Sequence, residues 1–86
     1  MLDTEVDHDM VAAQYLVSSM NNPDDLADLV TQEEAHWAGR NDAAAKLIKM
    51  FKDGDTRCTL DHIAHVGDKA DEPYKSEANE LIRQRL

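Results

Sequence analysis

No lysine or arginine occurs before Arg40. Aromatic rings are also scarce: one Phe, one Trp and two Tyr make up 5% of the 86 residues. Sheet cores draw on aromatic and β-branched side chains. An apolar content carried by Leu, Ile, Val, Met and Ala therefore predicts helices rather than strands. Cys58 is the single cysteine. That excludes an internal disulfide framework, leaves only a bridge between chains, and predicts a reducing compartment. No apolar run approaches the ~20 residues of a membrane span, and the start MLDTEVDHD lacks the basic segment of a secretory signal. The expectation is a cytoplasmic protein with no membrane partner. With three glycines in all, the chain has no glycine-rich phosphate loop. It also has no dinucleotide fingerprint and no Ser, His and Asp set ordered for nucleophilic catalysis. These absences predict a non-catalytic protein that needs no cofactor.

What is present organises around Asn41 to Gly54, NDAAAKLIKMFKDG. Asn41 suits a helix cap, and Gly54 suits the left-handed residue just past a helix end. Between them Ala44, Leu47, Ile48 and Phe51 recur at i, i+3, i+4 and i+7, while Lys46, Lys49 and Lys52 fall off the stripe. This reads as a core helix with a basic outer edge. The rest of the chain extends it to an all-α domain over 1–86, a small bundle of about five helices at approximately 4–20, 23–38, 42–53, 60–66 and 72–86, with no sheet.

In the first helix Thr4 serves as cap with Asp7 three residues on, and Val6, Met10, Ala13, Val17 and Met20 trace the inward face, widened by Leu16. Tyr15 falls off that stripe and hints at a contact surface. Asn22, Pro23, Asp24 and Asp25 are a strong helix start, a cap followed by proline at the first position and two acids in the first turn. Leu26, Leu29, Val30, Glu33 and Trp37 continue its face. The string Thr31 to Glu34 itself resembles a capping box and would permit a break near Gln32, but one helix to about Ala38, ended by Gly39, is the expectation. Trp37 then sits as a lid on the core, or as a partner-binding anchor. Thr59 caps a short helix that Gly67 ends, with Leu60, Ile63, Ala64 and Val66 inward. The last helix tolerates Pro73 in its first turn and buries Tyr74, Ala78, Leu81 and Ile82, with Leu86 at its end.

The net charge of −9 is unevenly placed. Asp3, Glu5, Asp7, Asp9, Asp24, Asp25, Asp28, Glu33 and Glu34 supply nine acids before Gly39, with no cation to offset them. From Arg40 onward nine acids meet nine bases, and that half is neutral. Acids near helix starts complement the helix dipole, which accounts for several of them individually. A stretch this long without one base points further, to attraction of a basic partner.

Four groupings bear on chemistry. Cys58, His62 and His65 follow a C-x3-H-x2-H spacing that offers zinc-type ligands, with Asp61 near, but structural zinc sites usually draw ligand pairs from two segments. The expectation is no metal, with a half-buried thiol and two surface histidines. Asp53-Gly54-Asp55 starts like a calcium loop and fails where Cys58 and Ala64 stand in place of Gly and Glu. Asp24 and Asp28 pair on an exposed helix face, where carboxylates are ordinarily just solvated. Residues 59–86 resemble a helix-turn-helix, but the helix that would enter a DNA groove presents Glu77 and Glu80, which phosphates repel, against Lys75, Arg83 and Arg85. Nucleic acid is therefore not the expected partner.

The reading that remains is a small acidic protein-protein interaction module, a regulator or inhibitor. It would bind a basic protein surface through Asp7, Asp9, Tyr15, Asp24, Asp25, Asp28, Glu33, Glu34 and Trp37. By charge and size alone it is similar to phage-encoded inhibitors that cover a basic surface of a host protein. The alternatives are a helix-turn-helix DNA-binding regulator using 59–86 and a structural homodimer joined through Leu16, Val17 and Met20 of the first helix.

Overall fold

A computed structural model describes residues 8–85. The described chain is all-helical: α1 (His8–Ser19), α2 (Pro23–Thr31), α3 (Trp37–Lys52), α4 (Leu60–Lys69) and α5 (Tyr74–Arg85). Among the described residues there is no strand. Thr4, Val6, Asp7 and Leu86, and with them the expected cap of the first helix, lie outside the described residues.

Helix α3 is the hub. It packs on α1, α2, α4 and α5, while α4 also packs on α2 and α5. Ala44, Leu47, Ile48 and Phe51 are all buried, as their spacing predicts, and Leu26, Val30, Ile63, Val66 and Ala78 close around them. At the end of α3, Gly54 takes φ +83, the left-handed conformation open to a residue without Cβ.

The boundary between α2 and α3 differs from the expectation. α2 stops at Thr31, and α3 starts at Trp37, four residues before Asn41. Glu33 lies in the intervening turn and not on the apolar face. Two groups make the break. His36 caps α3, its Nδ1 accepting from the Ala38 N–H at 3.1 Å. Arg40, one turn into α3, reaches back with Nε and Nη2 to the Val30 carbonyl at 3.1 and 2.9 Å and closes α2. Gly39, expected as a helix terminator, lies inside α3 at a close crossing. A Cβ there would sit 3.1 Å from the Cβ of Ala13 in α1.

Gly67 is a second such case. α4 runs through it to Lys69, and the residue is buried where α4 meets α5. An added Cβ would run into the Asn79 Oδ1, while Asn79 Nδ2 donates to the Gly67 carbonyl at 3.2 Å. Within α4, Ile63 and Val66 are inward, but Leu60 is 37% exposed and Ala64 is exposed. The helix is short and presents one narrow seam. Pro73 precedes α5 rather than opening it.

Candidate functional site

Helix α1 carries apolar residues on two sides. Val17 is buried against the core and Met20 packs at its edge. Around the rest of the helix Val11 is 48% exposed, Tyr15 76% and Leu16 55%. Leu16, expected to widen the inward face, is turned to solvent. The α3 surface takes one stripe of α1, and Leu16 lies beyond its edge. Trp37 is 56% exposed, so it does not seal the core. The break at residues 32–36 places it in the first turn of α3, with its ring tilted against His36 at 5.5 Å between centroids.

The acids fall into distinct positions. Asp7 lies outside the described residues, and Asp9 is exposed in the first turn of α1. Asp24, Asp25 and Asp28 are exposed on α2, and Glu33 and Glu34 are exposed in the turn that follows it. Among the described residues Asp25, Asp28, Glu33 and Glu34 form no ion pair with Lys, Arg or His. Asp24 differs: its Oδ1 takes the Nε2 of His62, 38 positions on, at 2.6 Å, and ties α2 to α4. His62 Nδ1 in turn accepts from the Thr59 N–H at 3.0 Å at the start of α4, so Nε2 carries the proton given to Asp24.

The sequence grouping of Cys58, His62 and His65 is not brought together. Cys58 is buried and its thiol lies 3.4 Å from the Leu47 carbonyl. Burial, with a smaller contribution from Asp55, pushes that thiol up to about 11, which keeps it protonated and unreactive at neutral pH. His65 donates from Nδ1 to the Asp61 carbonyl at 2.7 Å. Both histidines line an open notch of about 400 Å3 with Asp24, Asp28 and Asp61. Among the described residues no three His, Cys, Asp or Glu side chains converge as metal ligands would. Asp55, of the calcium-like string, is instead held by Arg57, whose side chain and backbone N–H both donate to it and lower its pKa to about 2.

A second notch, of about 420 Å3, opens between the end of α1 and α2. Leu16, Met20 and Leu29 form its apolar part, and Asp25, Asp28 and Gln32 its polar part. Asp28 lines both notches. Lys46 of α3 forms no ion pair with the acids of either notch. It donates to the carbonyls of Val17 at 3.0 Å, Ser18 at 3.3 Å and Met20, and so closes the C-terminus of α1. The expected basic outer edge of α3 is therefore only Lys49 and Lys52, since Lys46 is half-buried under α1.

In the region resembling a helix-turn-helix, α4 and α5 pack on each other. Lys52 is paired with Glu77, and Arg83 with Glu80. Arg85 lies over the Phe51 ring, 4.7 Å from its centroid. Lys52, Arg83 and Arg85 are thus engaged by the protein's own acids and ring, while Lys75 is exposed and forms no ion pair among the described residues. No protein family, curated protein or solved structure matches the chain. Among the described residues no helix is long and apolar enough to cross a membrane.

Proposed function

We propose that this protein is a small acidic interaction module that binds a basic surface of another protein without catalysis, through α1, α2 and the turn at residues 32–36. One observation carries the reading: Asp25, Asp28, Glu33 and Glu34 stand exposed with no cation paired to them among the described residues, in the half of the chain that also exposes Tyr15, Leu16 and Trp37. Uncompensated charge of one sign raises the encounter rate with an oppositely charged partner, and exposed large rings are the residue types that anchor interfaces. The regulatory form of this activity is masking: a chain of this charge covers a basic surface that another ligand, such as a nucleic acid, would otherwise occupy.

The test starts with affinity capture from a cell lysate and mass spectrometry, followed by binding kinetics at two salt concentrations with the captured protein. Replacing Asp25, Asp28, Glu33 and Glu34 together by their amides is expected to slow association ~tenfold and flatten its salt dependence, with a smaller change in dissociation. A quadruple variant that associates at the wild-type rate with the same salt slope overturns the proposal.

A further inference from the structure

We infer that the notch between α1 and α2 receives one apolar anchor of an amphipathic helix from another protein, whose flanking lysines or arginines meet Asp25 and Asp28. This rests on the reading of the protein as an acidic interaction module and assigns it a docking position and a ligand chemistry. The starting point is α1. Its apolar residues lie on two sides, and α3 packs against the one that contains Val17. Val11, Ala12, Tyr15 and Leu16 are exposed at i, i+1, i+4 and i+5, a second stripe along the helix axis that ends at the notch. Such a stripe, with a recess at one end, matches an amphipathic helix laid in a groove, where anchors recur at i, i+3 or i+4, and i+7. The notch, about 420 Å3, is lined by the apolar Leu16, Met20 and Leu29 and by the exposed Asp25, Asp28 and Gln32.

Charge selects among occupants. A second copy of this chain laid on the stripe would bring its own Asp25 and Asp28 against those of the first, and residues 8–39 contain no Lys or Arg to separate them. Of the nine cations of the other half, Lys49, Lys52, Arg57 and Arg83 pair with Asp53, Glu77, Asp55 and Glu80 of the same chain, Arg40 and Lys46 hold helix carbonyls and Arg85 lies over Phe51, which leaves Lys69 and Lys75 to set against the acids of a second copy. An anionic lipid surface would be repelled by the same acids. A cationic amphipathic helix satisfies both the apolar floor and the acidic rim.

The probe is a fluorescein-labelled synthetic peptide of leucine and lysine in amphipathic helical order, titrated with the full chain and followed by anisotropy. A lysine-serine peptide of equal charge and length and a leucine-glutamate peptide are titrated alongside. Leu16→Asn is expected to weaken the leucine-lysine peptide ~tenfold or more, and Asp25→Asn with Asp28→Asn to do the same with a flatter salt dependence. Leu60→Asn, an exposed apolar position on α4, is expected to leave the affinity unchanged. Leu16 is more than half exposed, so its variant keeps the fold, which a thermal melt confirms. Equal binding of the lysine-serine peptide, or equal loss in Leu16→Asn and Leu60→Asn, overturns the notch while leaving the acidic surface standing. Equal binding of the leucine-glutamate peptide overturns the cationic partner. Self-association of the chain alone that Leu16→Asn abolishes assigns the stripe to a second copy and overturns the proposal as well. If neither cationic peptide binds, the docking site and the interaction module both fall.

Discussion

The two halves of this molecule handle charge in opposite ways. From α3 onward four of the nine cations pair with an acid of the same chain, Lys49 with Asp53, Lys52 with Glu77, Arg57 with Asp55 and Arg83 with Glu80. In α1, α2 and the turn after them the acids are exposed, and the one ion-pair tie to the other half seen among the described residues is Asp24 to His62. In packing the contrast is between α3 and α1. α3 contributes Ala43, Ala44, Leu47, Ile48 and Phe51 to the core, while α1 contributes Val17 alone as a buried residue. A half closed by its own ion pairs, with Leu26 and Val30 of α2 buried against it, supports a surface on α1 and α2 that is open in charge, and an open, charged, partly apolar surface is what binding uses.

The sharpest way to test that contrast is to remove the same side chain from each half. Leu47→Ala, at a fully buried position, is expected to cost ~2 to 5 kcal/mol, a large part of what holds a domain of this size. Leu16→Ala, at a position 55% exposed, is expected to change stability by less than ~0.5 kcal/mol. Urea melts of the two variants check this, and similar losses would mean that α1 buries Leu16 in solution.

A smaller effect is expected at the tie between the halves. Neither α1 nor α2 has a basic residue in its last turn, so the carbonyls there lack a local cation. α3 supplies both, Lys46 to α1 and Arg40 to α2, the latter also reaching the Lys69 carbonyl at 2.8 Å. Lys46→Met keeps the stem and deletes the ammonium. Hydrogen bonds to a charged group are worth ~1.5 to 3 kcal/mol, and that is the loss expected. Its location matters more than its size: hydrogen exchange should accelerate in α1 and leave α4 and α5 as they were. Uniform acceleration across the chain would show that α1 unfolds only with the rest.

These long-range ties explain what the sequence made legible and what it did not. The all-α class, the buried face of α3 and the start of α2 at Asn22 and Pro23 depend on spacing and on neighbours within a turn, and all three are seen. Asn22 Oδ1 does accept from the Asp24 N–H, at 2.9 Å. Gly39 and Gly67 were legible as small residues but not as helix interiors. A glycine ends a helix or lets two helices approach, and the choice is made by Ala13 and Asn79, residues far off in the sequence. The break before Trp37 depends on Arg40 reaching back ten residues to Val30. Of the candidate surface, the missing cations and the exposure of Tyr15 were readable from composition and helical phase. The exposure of Leu16 was not, because it depends on how much of α1 a single neighbouring helix covers. The link of Asp24 to His62 gave no sequence signal at all.

That link separates acids that look alike in the sequence, and it gives the smallest of the expected effects. Asp24 and Asp25 both lie in the first turn of α2, where a carboxylate favours the helix dipole, and Asp28 lies beyond it. Asp24 alone holds a partner in the closed half, with the acid exposed and the His62 side chain only 13% exposed. A pair with one solvated member is worth ~0.2 to 1 kcal/mol, so Asp24→Asn should destabilise the fold within that range. Asp28→Asn loses no dipole term and no partner, and it relieves repulsion from Asp24 and Asp25 on neighbouring positions of the helix. Its stability should be unchanged or slightly raised, most visibly at low salt, where like charges are least screened. Thermal melts of the two variants at low and physiological salt measure both signs. If Asp28→Asn proves the more destabilising, that carboxylate has a structural partner in solution, and the acidic rim of the α1 and α2 notch is part of the fold rather than a surface kept open for another molecule.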